Sequence, residues 1–284
     1  MKFKEIVEDY FESIGLKKDS KFVNKQMQFY LHMIKRAKHY VALFSYFTGL
    51  KDFKNLKIFE PACCIGPISI YTSKLGNFSV GCDKNKEFLK LAHQINKVEK
   101  GNAHFVVCNC FSLPFKEGIF DISFIIDLLE HTDQQKKMID EISFAMKSNS
   151  YAVIKVSNKL FLIEPHTYIP FLSYMPSKLA DFFVRNFRKE FYAWYDSYDE
   201  IDLPTYPRIK SWLKNKKIKN IKYHPVFLDY IPYVGEYRTE HSPVNIEIPN
   251  FMKKLFSSRS FMKLISKLPF ILFSKDWYVI FEKE

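Results

Sequence analysis

The 284 residues carry 47% hydrophobic and 17% aromatic side chains, enough to build a sizeable core and to exclude an intrinsically disordered chain. A formal net charge of +12 is compatible with an anionic partner such as nucleic acid or anionic lipid. It is equally compatible with lysine-rich usage that makes every surface basic, since no dense arginine block stands out. Five cysteines without regular spacing exclude a disulfide framework.

No run of about eighteen apolar residues is present, and Met1–Glu5 leads into mixed charge rather than an apolar signal core. The expectation is a cytoplasmic protein, with peripheral contact at the inner face of the membrane left open. The first fifty residues read as helical. Phe22, Met27, Tyr30, Leu31, Ile34, Ala37, Val41 and Phe44 recur at three- and four-residue spacings. Gly49 and Asp52 punctuate the chain before a short apolar strand, Leu56–Glu60.

From there strands and helices alternate. A helix is expected over Ile68–Leu75, a strand over Phe78–Cys82, a helix over Glu87–Val98, and strands over His104–Cys108 and Phe120–Ile126. Gln134–Met146 has helical spacing and Tyr151–Val156 reads as the fifth strand. After Ser157 the rhythm breaks into a Phe-, Tyr- and Pro-rich stretch with one helix, Ser177–Phe187. It resumes with a helix at Arg208–Asn215 and a strand at Ile221–Leu228, breaks again, and closes on the apolar run Trp277–Phe281.

The expected architecture is therefore α/β: a Rossmann-like, seven-stranded, mostly parallel sheet with helices on both faces. A helical extension would occupy residues 1–54 and the main domain 55–284, with a lid-like aromatic insertion at 159–205 and a second insertion at 229–275. Long insertions in compact domains usually serve as lids or binding loops.

Open parallel sheets bind ligands beyond the carboxyl ends of their strands. The first such turn is Glu60-Pro61-Ala62-Cys63-Cys64-Ile65-Gly66, leading into a helix. Small residues at 62, 64 and 66 let the backbone approach a ligand. The helix beyond offers N–H groups to a carboxylate. The second strand ends in Gly81-Cys82-Asp83, and an acid at that place can accept both hydrogen bonds of a ribose diol.

These residues resemble the class I S-adenosylmethionine-dependent methyltransferases. Glu60, Ala62, Cys64 and Gly66 parallel the family's acidic-x-Gly-x-Gly-x-Gly signature, with Ala62 and Cys64 departing from glycine. Asp83 falls at the ribose-binding acid. Asn109-Cys110-Phe111-Ser112-Leu113-Pro114-Phe115 is similar to the segment that borders the adenine. Phe120-Asp121-Ile122 through Leu129-Glu130-His131 is similar to the next strand and its ending. Glu141-Ile142, Met146-Lys147 and Tyr151–Ile154 track the family's next helix and fifth strand. The resemblance runs over about residues 55–157. It implies S-adenosylmethionine as cofactor, held by Glu60, Ala62, Cys64, Gly66, Asp83, Asn109, Cys110 and Asp127. Glu164-Pro165-His166, with Leu172 and Pro176, resembles a quinone-biosynthesis-type, glycan-associated subgroup.

Methyl transfer from a sulfonium is a direct displacement, so the protein must mainly align the acceptor and exclude water. A base is needed only for a protonated acceptor. His131, just past the fourth strand, and His166 with its neighbour Glu164 in the lid are the candidates for that role. Each has a packing role as its alternative. The tyrosines Tyr192, Tyr195, Tyr198 and Tyr206 are candidates to line an acceptor pocket. No metal is expected, because the spacings of Cys63, Cys64, Cys82, Cys108 and Cys110 match no usual metal motif. The basic apolar stretch Phe251–Phe273 could lie on a membrane or pack on the domain.

The acceptor is expected to be a small molecule, a glycan or a lipid-linked group. An impaired methyltransferase-like binding protein and a nucleic-acid methyltransferase are the alternatives. The second is disfavoured because the fourth strand runs into Asp127-Leu128-Leu129-Glu130 and no RNA-binding module is recognisable. A nicotinamide dehydrogenase is disfavoured by the absence of G-x-G-x-x-G spacing.

Overall fold

The computed structural model describes residues 3–13, 27–28, 30–50, 52–161, 164–167, 169–193, 195–214, 218–226 and 276–284. Its centre is a seven-stranded sheet of order β3-β2-β1-β4-β5-β7-β6. In chain order these strands are β1 (Lys57–Pro61), β2 (Phe78–Asp83), β3 (His104–Val107), β4 (Phe120–Ile126), β5 (Met146–Ser157), β6 (Ile218–Val226) and β7 (Asp276–Lys283). The pairs from β3 through β5 are parallel, while β7 runs antiparallel to both β5 and β6. β1 and β4 are the central pair, and the strand order reverses beside them, so their carboxyl ends frame the crevice where such sheets take ligands.

The helices are α1 (Phe3–Ser13), α2 (Met33–Thr48), α3 (Pro67–Lys74), α4 (Lys86–Val98), α5 (Gln135–Ala145), α6 (Ser177–Phe187) and α7 (Tyr206–Leu213). Their ends follow local chemistry. α3 opens with Pro67 in its first turn, where the missing N–H costs nothing. α4 starts at Asn85, whose side chain accepts from Glu87 N. α2 ends on Gly49 at φ 76°, a left-handed C-cap.

Two apolar layers sandwich the sheet. Phe59, Phe120, Ile125, Ile139, Ile142 and Phe281 belong to one, and Phe44, Ile58, Phe124, Val153 and Ile280 to the other. α2 supplies Ala37, Val41 and Phe44 to the second layer, and α1 packs Ile6, Val7 and Phe11 against Ile65 of the β1–α3 turn. Thus the N-terminal helices lean on the sheet and on the β1–α3 turn. A separate cluster around Leu172, Val184, Phe191 and Tyr198 forms the core of the region after β5.

The expected elements recur with boundary shifts. The largest is β5, which begins at Met146, directly after α5, rather than at Tyr151. Pairing of Phe120 with Met146 across a bulge, together with Lys283 Nζ donating to Met146 O at 2.7 Å, recruits those residues into the strand. The expected helix Phe22–Phe47 is partly outside the described residues. The insertion 229–275, with the basic stretch Phe251–Phe273, lies outside them entirely. Among the described residues no helix is long and apolar enough to cross a membrane.

Candidate active site

The turn after β1 adopts left-handed backbone at alternate residues: Ala62 at φ 46°, Cys64 at φ 52° and Gly66 at φ 66°. A side chain at such a position costs about 1–2 kcal/mol, so Ala62 and Cys64 hold the shape that glycine would take freely. At Gly66 an added Cβ would lie 2.3 Å from the Phe105 ring, so space and conformation both demand glycine there.

Glu60 is buried beneath this turn. Its carboxylate accepts from Ile68 N at 3.2 Å and Ser69 N at 2.7 Å, the first amides of α3. Those amides are therefore taken by the protein and do not remain for a ligand carboxylate, which corrects the expectation drawn from the sequence. Burial pushes the Glu60 carboxyl up to about 7 against the pull of the Ser69 and Ile68 hydrogen bonds. Asp83, at the end of β2, accepts from Cys64 N at 2.9 Å and from Asn85 N at 2.9 Å. Each oxygen keeps a lone pair, and the acid is fixed beside the left-handed turn. Asn109 turns its carbonyl oxygen back onto Phe111 N at 3.0 Å.

The five cysteines are all free thiols and divide into two groups. Cys82 Sγ lies 4.0 Å from Cys110 Sγ. Hydrogen bonding within Cys82, Cys108 and Cys110 pushes Cys82 up and the other two down. Cys64 faces the other way, 3.6 Å from Tyr30 Oη, and burial pushes its thiol up to about 12.

At the end of β4, Asp127 sits at φ 50° with its carboxylate between two cations. It is bonded to Lys155 Nζ on β5, and Arg36 Nη2 on α2 stands 3.3 Å away. Lys155 also reaches Asp276 of β7 at 3.2 Å. Burial alone would neutralise Lys155, but Asp127 and Asp276 outweigh it and hold the ammonium charged. The unit Arg36–Asp127–Lys155–Asp276 has no net charge and spans α2, β4, β5 and β7.

Beyond Asp127 a short 3-10 turn, Leu129–His131, brings Glu130 and His131 to the rim. Glu130 is 1% exposed, and its Oε2 has no hydrogen-bond partner among the described residues. Burial, then the Asp127 charge, pushes its carboxyl up to about 7. Over this turn folds the segment Glu164–Thr167. Glu164 is fully buried and accepts from His166 N (3.0 Å), His166 Nδ1 (2.9 Å), Thr167 N (2.6 Å) and Thr167 Oγ1 (2.7 Å). Burial opposes charge on both partners, yet their pairing prevails: His166 goes up and Glu164 down. The His131 and His166 rings stand 5.5 Å apart at 85°, and Tyr195 stacks on His131 at 5.9 Å. Desolvation by these neighbours, then the His166 charge, pushes the His131 imidazole down, although the residue keeps an edge in solvent. The region after β5 is stitched to this rim by Asp202 N donating to Glu130 O at 2.8 Å and by Gln135 Nε2 donating to Leu129 O and Asp202 O.

Residues 59–154, β1 through most of β5, match the family described as Methyltransferase domain. Over that span the chain is similar to the methyltransferase domain family. Solved structures agree at the level of fold. A SAM-dependent methyltransferase from Archaeoglobus fulgidus is 16% identical, with a TM-score of 0.50 over 88% of this chain and 92% of that one. Magnesium protoporphyrin IX methyltransferase from Synechocystis PCC 6803 with bound SAH is 14% identical, with a TM-score of 0.52 over 99% and 100%. An uncharacterized protein of Methanocaldococcus jannaschii is 26% identical over 140 residues, 49% of this chain and 59% of its own. A second from that organism is 30% identical over 83 residues, 29% of this chain and 38% of its own. The chain thus spans well under two thirds of the length of both curated relatives.

The structure gathers Ala62, Cys64, Gly66 and Asp83 around one turn, with Cys110 packed behind through Cys82. Glu60 lies beneath them, turned to α3. A donor set of a fixed carboxylate beside a tight left-handed turn suits a nucleoside with a ribose diol, so the residues fit the cofactor class. His131, Glu164 and His166 come together at the rim. Of the four tyrosines, Tyr195 joins them. Tyr192 bonds Asp181, Tyr198 is buried by Phe191, and Tyr206 stacks on Trp277. Sequence reasoning passed over Arg36, Lys155 and the role of Glu130. Lys155 carries a signal, being the one charge within the apolar run Tyr151–Val156.

Proposed function

We propose that this protein transfers the methyl group of S-adenosylmethionine to an acceptor seated between the β4 rim and the lid. The observation that carries the reading is the left-handed turn at 62, 64 and 66 with Asp83 clamped to the Cys64 amide. Bound there, the cofactor would supply an electrophilic methyl on a sulfonium. Asp83 would hold the ribose diol, the turn would let the backbone approach, and the Asn109–Cys110 segment would border the adenine. Asp127 would keep the end of β4 in place through its ion pairs.

The lid supplies the second half of the task. Glu164 fixes His166, and Glu130, His131, His166 and Tyr195 form the polar wall against which an acceptor is oriented and relieved of its proton. Acceptors of small-molecule, glycan and lipid-linked kind suit such a wall. Exposed Leu179, Phe182 and Phe187 on α6 favour the lipid-linked kind, since an exposed apolar helix face can lean on acyl chains.

Calorimetry tests the reading. Wild type should bind S-adenosylmethionine, and Asp83→Ala should weaken it about tenfold, as expected for losing hydrogen bonds to a charged group. Absence of binding to wild type sinks it. A second reading, a methyltransferase-like scaffold without turnover, draws on the strained Ala62 and Cys64. It requires binding to emerge only when both are replaced by glycine.

A further inference from the structure

Three metal-capable side chains meet at the rim beyond β4. Glu130, His131 and His166 each present one ligand atom, and these atoms all lie within 4.8 Å of one another. Two further observations point to a ligand there. First, Oε2 of Glu130 is buried with no donor among the described residues. Leaving such an oxygen unpaired costs about 1–3 kcal/mol, a cost that a bound cation would remove. Second, His166 Nδ1 is held by the Glu164 carboxylate at 2.9 Å, leaving Nε2 as its outward nitrogen. A carboxylate behind an imidazole is the arrangement that orients metal-binding histidines.

We propose that Glu130, His131 and His166 bind a divalent transition-metal ion, with Glu164 as the residue that positions His166. Two imidazoles and one carboxylate suit zinc, iron or cobalt rather than the all-oxygen shells of magnesium and calcium. Three protein ligands leave a coordination position open, as catalytic sites require. Bonds of about 2.0–2.2 Å place ligand atoms roughly 3.0–3.5 Å apart, so binding draws the three groups inward by about an ångström. His131, at the exposed end of a three-residue turn, can make that movement. No cysteine joins this group, which among the described residues holds Glu130, His131 and His166 alone.

Binding of the metal stands on this geometry alone; its use in catalysis rests on the proposed methyl transfer. In that use, an acceptor hydroxyl on the open position loses its proton to water more readily. The oxygen lone pair then forms the C–O bond as the C–S bond of the sulfonium breaks. The products are a methyl ether, a neutral thioether and one proton.

The test titrates Co(II) into reduced, untagged, chelator-stripped protein, followed by visible absorption and calorimetry. One equivalent should bind, with d–d bands and no sulfur-to-cobalt charge-transfer band. His131→Ala, His166→Ala and Glu130→Gln should each weaken binding at least tenfold, and Glu164→Gln by about 10–100-fold, the range for a residue behind a ligand. His104→Ala, a surface histidine on β3, should leave it unchanged. No binding to wild type, a thiolate band, or unaltered affinity in His131→Ala overturns the proposal. His131→Ala keeps the test decisive where the buried variants fail to fold. S-adenosylmethionine binding is measured on the same preparation. Its loss alone sinks the methyl-transfer reading, whereas missing metal binding beside intact cofactor binding sinks the metal site.

Discussion

Arg36 on α2 points its guanidinium at Asp127, 3.3 Å from the carboxylate at the end of β4, and so ties the N-terminal helices to the strand that leads into the rim. Asp127 is shared with Lys155, which is shared in turn with Asp276. The four groups are unequal in burial. The Lys155 side chain is 8% exposed, and that of Arg36 is 17%. Removing Lys155 leaves two facing carboxylates in the interior, so Lys155→Met should cost about 3–5 kcal/mol. Arg36→Ala leaves Asp127 still paired and should cost about 1 kcal/mol. Urea unfolding measures both. Equal losses in the two variants would show that the cluster is not organised around Lys155.

The Glu60 carboxyl, raised to about 7 by burial, makes stability fall with pH. The folded chain holds a proton there that the unfolded chain, with an ordinary value of 4.5, has released. Stability from this group is full below about pH 4.5 and is lost as pH rises towards 7, by about 3 kcal/mol in all. Glu130, also raised to about 7, acts in the same window. Glu60→Gln should therefore lose about half of the slope between pH 4.5 and 7 in urea unfolding. An unchanged slope would mean that Glu60 is ionised throughout, held so by the α3 amides.

Gly66 and Gly76 separate conformation from space. Both are left-handed, at φ 66° and 89°, but an added Cβ meets the Phe105 ring at 2.3 Å in the first and nothing within 4 Å in the second. Gly76→Ala should show the backbone cost alone, about 1 kcal/mol. Gly66→Ala should cost about 1 kcal/mol more, because the displaced ring is packed against His93. It should also weaken S-adenosylmethionine binding, which Gly76→Ala should not. Matching behaviour in the two variants would remove Phe105 from the account of the turn.

The sheet was readable from the sequence because each strand between residues 56 and 156 is an apolar run bounded by turn residues, as buried parallel strands are. Glu60 and Asp83 could be placed at strand ends by the same reasoning. Where their oxygens point could not, because whether a carboxylate faces the helix amides or the crevice depends on a few degrees of backbone. Asp127 illustrates the other gap. Its partners Arg36 and Lys155 are separated from it by 91 and 28 positions in the chain, and Asp276, which shares Lys155, is farther still. Such pairs become neighbours only through the strand order, so no local pattern signals them. Glu130 was visible within Leu129-Glu130-His131, yet nothing local distinguishes a buried, unpaired carboxylate from a solvated one.

Glu164 organises the turn Glu164–Thr167, and its substitution gives the most local prediction. Its carboxylate receives the amides of His166 and Thr167, the Thr167 hydroxyl and His166 Nδ1. Glu164→Ala leaves those donors unpaired in the interior, at about 1–3 kcal/mol each before relaxation, and the turn should open rather than bear that cost. Hydrogen exchange at the His166 and Thr167 amides should accelerate at least tenfold. The amide of Ile122, in the middle of β4, should keep its protection. Glu164→Gln retains one acceptor oxygen and should fall between the two. S-adenosylmethionine affinity should change less than about threefold, because the turn at 62–66 and Asp83 receive no support from this segment. If exchange in β4 rises with that in the lid, Glu164 holds up the whole domain rather than the wall over the acceptor.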